Sequence, residues 1–331
     1  MSVSYSAPTS YAETQSSNSN LPAAWILAGN RLLRKLVDAL DVSASGFFDP
    51  DVIDFAGQKT DSARWGEVSG VGFEEAMSSA GSEVSAITAS TQTTAYGSVV
   101  VAEYVIGYSE TFRNQILMGT SSNGVNLTLD ELVTLVPASY EKTLRTVLTA
   151  SGATISANTV GSTTAALSAD DIYDLRAAHT SKYGAGELGA PIIMLRAKQH
   201  NEVVESFRSE NYLWGTELAQ RMQRVTVGQN LVDPYGLGFN VKLSDDVVSA
   251  SSVLKGFCTS PGAWKRAIAS PDAARIPAGA KRMVIPGYGL LIWEKLSGSD
   301  LRTSGFNGYA NLGVGLKSSN VSFQALVRSK A

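Results

Sequence analysis

The sequence has few of the residues that build disulfides, metal sites and charged surfaces. Its one cysteine, Cys258, excludes an intrachain disulfide framework, and its two histidines, His179 and His200, have no Cys or His companions at the spacing of metal ligands. Charged residues make up 17% of the chain and the formal net charge is −3. No global basic field would therefore draw the protein to nucleic acid or to an anionic membrane.

Long apolar runs are also lacking. No run approaches the roughly 18 residues that a membrane span requires. The first residues, "MSVSYSAPTSYAETQSSNSN", have neither the basic nor the apolar region of a secretory signal. They predict an extended polar arm over residues 1–21. Because ordering the backbone costs about 1–2 kcal/mol per residue and the arm offers little apolar surface in return, we expect another protein surface to hold it.

A second segment, from Ala76 to Ala102, carries a single charged residue, Glu83, and is rich in Ser, Thr, Ala and Val. β-Branched residues favour strands, whereas small polar side chains contribute little to a core. The composition predicts a long two-stranded ribbon that is marginal alone in water and lies on a neighbour. Disorder is the alternative interpretation.

The clearest helix is predicted to open at Thr128. Thr128 and Glu131 have the spacing of a capping box, apolar residues follow at helical intervals, and Gly152 supplies a stop. Pro137 lies inside this stretch, so we expect one long kinked helix.

Other elements are predicted from the spacing of apolar residues and from cap and turn residues. A short amphipathic helix is predicted in "AAWILAGNRLLRKLVDAL", and a second in "SADDIYDLRAAH", with Ser168 as N-cap and Asp171 at the third position. Helices are also predicted in "KQHNEVVESFRS" and "GAWKRAIA". Strands are predicted in "GFFDPDVIDF", with a turn at Asp49-Pro50, and in "VVVAEYVIGYSETF", "PIIML", "GLGFNVKLSDD", "SSVLKGFCTS", "YGLLIWEKL" and "NLGVGLKSSNVSFQALVRS". Because helices and strands alternate without a strict βαβ period, the predicted fold class is α+β.

One stretch matches a nucleotide-binding motif. Gly184, Gly186 and Gly189 have the G-x-G-x-x-G spacing. A dinucleotide site requires a strand before the first glycine and a helix at the third. Here a predicted helix precedes the glycines and a predicted strand follows them, so they are interpreted as loop and cap residues.

The remaining candidates for chemistry are isolated. His200 is predicted to be a surface or interface histidine on a helix, and Cys258 a small buried strand residue rather than a nucleophile. The carboxylate pairs Asp170-Asp171, Glu74-Glu75 and Asp245-Asp246 are expected to be solvated, the first complementing a helix dipole. The basic groups Arg31, Arg34 and Lys35, Lys265-Arg266 and Lys281-Arg282 allow weak phosphate contact at best. We assign no catalytic, cofactor-binding or metal-binding residues, and predict a protein that is not an enzyme.

The order of the segments resembles the major capsid proteins of tailed bacteriophages, which have the HK97-like fold. The polar arm and first helix look like the N-arm of that family, and residues near Glu67 to Val100 look like its extended E-loop. "TLDELVTLVPASYEKTLRTVLTASGAT" is similar to the spine helix, although Pro137 departs from the pattern. "APIIMLRAKQHNEVVES", "VLKGFCTSPGAWKRAIA" and "GYGLLIWEKLSGSDLRTSGFNGYANLGVGL" resemble the later elements of the family.

The resemblance implies a division of the chain. Residues 1–50 would form the arm and first helix, 51–105 the E-loop region, and 106–229 a peripheral (P) domain with the spine helix. Residues 230–300 would form an axial (A) domain and 301–331 the strands that return to the P-domain.

It also implies a function. The chain would assemble with itself into hexamers and pentamers of an icosahedral shell enclosing double-stranded DNA, located in the virion after assembly in the host cytoplasm. Implied partners are a portal, a separate scaffolding protein and a decoration protein, with weak, nonspecific contact to packaged DNA and none to a membrane. Two alternatives stay open: an encapsulin-like nanocompartment shell of the same fold, and a soluble enzyme of unrecognised class.

Overall fold

The computed structural model describes eleven stretches of the chain: residues 30–35, 46–54, 62–69, 93–111, 124–183, 189–209, 230–269, 282–285, 287–294, 303–319 and 322–331. The helices are α1 (Gly124–Gly152), α2 (Ala169–Tyr183) and α3 (Ala197–Ser209), and residues 30–35 are also helical. The first strands are β1 (Phe48–Asp54), β2 (Ser62–Ser69), β3 (Thr93–Val100), β4 (Ala102–Thr111), β5 (Thr159–Gly161), β6 (Ile192–Leu195), β7 (Asn230–Val232) and β8 (Asn240–Leu243). The later strands are β9 (Val248–Ala250), β10 (Val253–Thr259), β11 (Trp264–Ile268), β12 (Arg282–Ile285), β13 (Leu290–Glu294), β14 (Thr303–Leu316) and β15 (Gln324–Lys330).

The chain divides into two compact units, each built from three separate segments. Unit 1 comprises Met1–Ala63, Val100–Ala150 and Lys265–Val314, and unit 2 comprises Arg64–Val99, Ser151–Trp264 and Gly315–Ala331. The domain division implied by the resemblance follows other criteria and stays a prediction.

Unit 1 contains a sheet with helix α1 packed on it. The strand order is β1-β11-β14-β13-β12, and β4 pairs antiparallel with β14. Apolar residues at helical spacing on α1 are buried together with strand residues, which explains the predicted stripe. Each fully buried Leu, Ile or Val stabilises the unit by roughly 1.5–3 kcal/mol. The shared core consists of Leu32, Leu132, Val133, Val136, Tyr140, Met283, Ile285, Leu290, Ile292, Phe306 and Ala310.

Unit 2 contains a mixed sheet with helices α2 and α3 against it. The strand order is β5-β15-β10-β6-β8-β7, with β9 also on β10. The pairs β5–β15 and β6–β8 are parallel, whereas β10 runs antiparallel to both β15 and β6. The core joins apolar residues of the two helices to those of the sheet. It includes Leu167, Ile172, Leu175, Val203, Phe207, Ile193, Leu195, Val241, Leu243, Cys258, Phe323, Ala325 and Val327.

Strands β2 and β3 form a separate two-stranded sheet, here called the ribbon. Of the segment Ala76–Ala102, predicted as a two-stranded ribbon, β3 is confirmed as a strand, but its partner β2 precedes that segment. Residues 70–92 between the two strands lie outside the described residues. The predicted arm, residues 1–21, lies outside them too.

The predicted α+β class is confirmed, and so are most local predictions. Helix α2 begins directly after Ser168, whose N–H and hydroxyl donate to Asp171 Oδ2 at 2.8 and 2.7 Å, while the N–H of Asp171 donates to Ser168 Oγ at 3.2 Å. This is the reciprocal capping box that the spacing predicts. The "PIIML" strand is fully buried along β6, and "KQHNEVVESFRS" is helical as α3.

Helix α1 runs without interruption over 29 residues with Pro137 inside it, so the prediction of one helix is confirmed. Its predicted start at Thr128 is wrong, because the helix begins one turn earlier, at Gly124. Val125 and Leu129 are four residues apart and continue the apolar helical spacing in the N-terminal direction.

Two further local predictions are wrong. "GAWKRAIA" forms strand β11 and not a helix, because its place in the strand order between β1 and β14 outweighs the helical preference of its alanines. Asp49 and Pro50 lie inside β1 rather than in a turn. Because β1 stands at the end of the strand order, Pro50 can lack a backbone donor on an open side.

Candidate functional site

The glycine motif joins a helix to a strand. Helix α2 ends at Tyr183 and β6 begins at Ile192, so the order is the reverse of the one that a dinucleotide site needs. Gly189 has φ +72°, a left-handed conformation that favours glycine, whereas residues 184–188 lie outside the described residues. The interpretation as loop and cap residues agrees with this order.

His200 is a core residue, so its prediction as a surface or interface histidine is wrong. It is 1% exposed, and its Nδ1 lies 2.7 Å from the hydroxyl oxygen of Tyr235. The Tyr235 ring in turn stacks on Phe207 at 5.9 Å. The sequence does contain the signal: His200, Val203 and Phe207 recur at i, i+3 and i+7 and share the buried face of α3.

His179 and Cys258 are buried in unit 2 as well. Burial, and then the positive charge of Arg176, lower the pKa of His179, whose ring meets Phe323 edge-on at 5.0 Å. Burial raises the pKa of the Cys258 thiol well above its ordinary value. The prediction of a buried structural cysteine is confirmed, because a protonated, enclosed thiol is a poor nucleophile.

The two carboxylate pairs in the described part of the chain lie at turns and helix ends. Asp170 and Asp171 lie in the first turn of α2, and Asp171 is occupied by the capping box. Asp245 and Asp246 lie in the turn after β8, where the N–H of Asp246 donates to Ser244 Oγ at 3.2 Å. Glu74-Glu75 lie outside the described residues.

The described residues of the predicted basic groups lie on different elements of unit 1, with Arg282 beginning β12 and Lys281 outside the described residues. Arg31, Arg34 and Lys35 are exposed on the helical residues 30–35. On β11, Lys265 pairs with Asp49 at 2.8 Å, and the Arg266 guanidinium lies 5.8 Å from the centre of the Tyr288 ring. Lys265 and Arg266 therefore both have contact partners within unit 1.

Unit 2 has an open hollow beside the N-terminus of α2. Its wall includes Lys198, Glu202 and Ser206, with Lys198 3.8 Å from Glu202. Two of these side chains accept hydrogen bonds from the backbone. Glu202 Oε2 accepts from the N–H of Leu167, and Ser206 Oγ accepts from the N–H of Ala169, both at 3.0 Å. They cap a helix and do not converge on the hollow.

The described ranges contain neither a cluster of metal-ligating side chains nor a membrane-spanning helix. Within them, no group of three or more His, Cys, Asp or Glu side chains is placed to hold a metal ion. No helix in the same ranges is long and apolar enough to cross a membrane.

Several apolar side chains on strands are exposed. In unit 1, Tyr104, Ile106 and Tyr108 of β4 are half-buried toward the core, so that Val105 between them points outward and is 74% exposed. Val100, just before β4, is 68% exposed. On the side of β4 away from β14, the described part of the chain places no strand. A strand edge of this kind can pair with another chain.

Unit 2 has comparable features. Val232 on β7, the last strand in its sheet order, is 82% exposed, and Tyr96 on ribbon strand β3 is 81% exposed. Sequence reasoning identified the ribbon region but none of these individual residues, because strand alternation does not reveal which face meets the core. Exposed apolar side chains on strands are candidates for contact with other chains.

Comparisons with known proteins give the fold. No protein-family model matches the chain, and no curated protein matches its sequence. Among solved structures, the holo encapsulin complex from Synechococcus elongatus is similar at a TM-score of 0.53 and 10% identity, over 84% of this chain and 83% of that chain. The capsid of cyanophage A-1(L) is similar at a TM-score of 0.52 and 11% identity, over 87% of this chain and 92% of that chain. The chain therefore has the HK97-like fold that phage capsid proteins and encapsulins share.

Proposed function

We propose that this chain is the major capsid protein of a tailed bacteriophage. Its copies assemble into hexamers and pentamers that close an icosahedral shell around double-stranded DNA, so its location is the virion. The observation that carries the proposal is the HK97-like fold, which extends over 87% of the chain in the comparison with the cyanophage capsid.

The surfaces of the two units support it. Exposed valines lie on strands at the margins of both sheets, Val105 in unit 1 and Val232 in unit 2. An isolated exposed valine is ordinary on a monomer, but a valine on an open strand edge gains from pairing with a second chain. In a shell each subunit is surrounded by copies of itself, and many such modest contacts add up.

The charge also fits a container for DNA. With 27 Lys and Arg against 30 Asp and Glu, the subunit has a formal net charge of −3. Nonspecific affinity for DNA grows with the number of phosphates that cationic side chains neutralise. A near-neutral shell therefore holds DNA without binding it tightly.

Within this proposal the segments have the roles that the resemblance implies. Residues 1–50 act as the arm with the first helix, and residues 51–105 as the E-loop that lies over a neighbour. Residues 106–229 form the peripheral domain, 230–300 the axial domain, and 301–331 the returning strands. A portal, a separate scaffolding protein and a decoration protein complete the assembly, and the chain has no catalytic activity.

An encapsulin-like nanocompartment is the second candidate. The specific observation in its favour is the TM-score of 0.53 to an encapsulin complex, against 0.52 to the cyanophage capsid. The two proteins have the same fold, so the contents of the particle distinguish them and the subunit does not.

Particle size and content test the proposal. The purified protein, alone and with candidate scaffold, is measured by light scattering and negative-stain microscopy, and the particles are then assayed for nuclease-protected DNA. Closed shells tens of nanometres across with protected DNA support the capsid function, and shells with protein cargo support the nanocompartment. A small oligomer that persists with scaffold and crowding agents overturns both and favours a soluble enzyme.

A further inference from the structure

A buried tryptophan lies at the base of the ribbon. Trp65 on β2 is 8% exposed, and its indole N–H donates to Glu67 Oε1 at 2.6 Å. Glu67 is itself 5% exposed, and its other oxygen, Oε2, accepts from the backbone N–H of Ser318 at 2.8 Å. One carboxylate thus connects β2 to the segment that follows β14.

The two hydrogen-bond donors around Glu67 match the two oxygens of its carboxylate in number. An ionised carboxylate is purely an acceptor, with two oxygens. Here each oxygen meets one N–H donor, one from an indole and one from the backbone. The bond to the indole is buried and the bond to Ser318 is partly buried, and a donor left without an acceptor in such surroundings is costly. A lysine has no acceptor, and an amide has one acceptor oxygen, so a glutamine in the same position would turn its NH₂ group toward one of the two donors.

Two glycines accommodate the indole. A Cβ on Gly97 of β3 would overlap Trp65 Cε2, and a Cβ on Gly315 of β14 would overlap Trp65 Cη2. Neither glycine is among the residues with positive φ. Their small size is therefore needed for space and not for backbone conformation. By contrast, a Cβ on Gly66, beside Trp65 on the same strand, would meet nothing within 4 Å.

We propose that Trp65, Glu67, Gly97, Gly315 and Ser318 form a clamp that sets the direction of the ribbon within each subunit before any neighbour binds. The indole seats the ribbon on the end of β14, and the carboxylate fixes it at two points. Gly97 lies on the face of β3 that packs against the indole. Because successive residues of a strand point to opposite faces, Tyr96 faces outward. The clamp is a positioning device, and its role in assembly rests on the proposed shell function.

The test compares three substitutions inside the clamp with a glycine substitution beside it. Gly97→Ala and Gly315→Ala add a methyl group against the indole, and Glu67→Gln keeps the shape of the side chain but turns one acceptor into a donor. Gly66→Ala is the matched control, the same change one residue from Trp65 in open space. Amide hydrogen exchange of β2 and β3 is followed in the unassembled subunit, with amides of β10 as an internal reference for global stability.

The expected result is that the three clamp variants accelerate exchange in β2 and β3 by at least about tenfold, as expected for one unmet buried donor or one steric clash. Exchange in β10 should stay unchanged, and Gly66→Ala should behave as wild type. If β2 and β3 exchange at the same rate in the three clamp variants as in the control Gly66→Ala, the clamp is overturned. If a variant fails to fold, Trp65→Phe, which keeps an aromatic ring but removes the N–H and the second ring of the indole, replaces it.

Assembly is then a separate measurement. If wild type forms particles, the clamp variants should give a lower yield at equal subunit concentration while Gly66→Ala does not. If wild type forms none even with scaffold and crowding agents, the shell proposal fails, but the exchange result still decides the clamp. A normal particle yield from variants with a loosened ribbon would contradict the assembly role alone.

Discussion

His200 and Tyr235 are joined across 35 residues of sequence by a 2.7 Å hydrogen bond between the imidazole Nδ1 and the phenolic oxygen, inside the core of unit 2. Burial raises the pKa of Tyr235, so its hydroxyl stays protonated. The pair lets helix α3 place a polar side chain against the sheet at little cost, since a buried polar group with a partner is tolerated.

Removing the hydroxyl should destabilise the subunit. Tyr235→Phe keeps the ring and its stacking on Phe207 but takes one hydrogen-bond partner from His200. We expect the free energy of unfolding to fall by about 1–3 kcal/mol, measured by urea denaturation. Tyr96→Phe makes the same chemical change on an exposed residue and should stay within about 0.5 kcal/mol of wild type. Equal losses in both variants would show that the bond contributes nothing.

His179 should make the subunit sensitive to acid. Its pKa is lowered in the folded state, first by burial and then by Arg176, from an ordinary value of 6.5. As pH falls below that value, the unfolded chain binds the proton more readily than the folded chain, so stability falls. We expect the urea midpoint to drop between about pH 7.5 and about pH 5.5, and the drop to be smaller in His179→Gln. The same drop in the variant would assign the pH dependence to other groups.

Cys258 should be inert until the subunit unfolds. It is 0% exposed, and burial raises its pKa well above the ordinary value, so little thiolate is present. Alkylation with iodoacetamide should therefore be slow in buffer and fast in urea, in step with unfolding followed by circular dichroism. Rapid labelling of the native protein would contradict the buried placement between β6 and β15.

Val105 tests association separately from folding, and its prediction rests on the shell proposal. The side chain is 74% exposed on the outward face of β4, so Val105→Asp should change the unfolding free energy of the unassembled subunit by no more than about 1 kcal/mol. Particle yield should fall strongly, because a charge would be buried at a strand edge that pairs with a neighbour. Ser109→Ala, on the same face of the same strand, is the control. Particle yields equal to wild type from Val105→Asp would remove β4 from the interface.

Local features were predictable from sequence wherever their partners are close in the chain. Ser168 and Asp171 are three residues apart, so the capping box could be identified before the structure was known. The interpretation of Gly184, Gly186 and Gly189 as residues between a helix and a strand followed from the order of neighbouring elements. The buried Cys258 followed from an apolar strand pattern.

Features that depend on distant segments were not predictable. The alanines in "GAWKRAIA" favour a helix, but β11 lies between β1 and β14, and its strand partners cannot be read from the residues beside it. His200 has the polarity of a surface residue, and its burial depends on Tyr235, which lies 35 residues away. The clamp joins Glu67 to Ser318 across 251 residues.

The sequence by itself determined the periodicity of α1, the cap of α2, the α+β class and the order of elements that resembles the HK97-like fold, because these depend on residues within a few positions of each other. Tertiary structure alone decided which polar groups are buried and which apolar side chains stay exposed. Burial is set by the strands and helices that come together from distant parts of the chain. The residues next to a position in the sequence do not specify those distant partners.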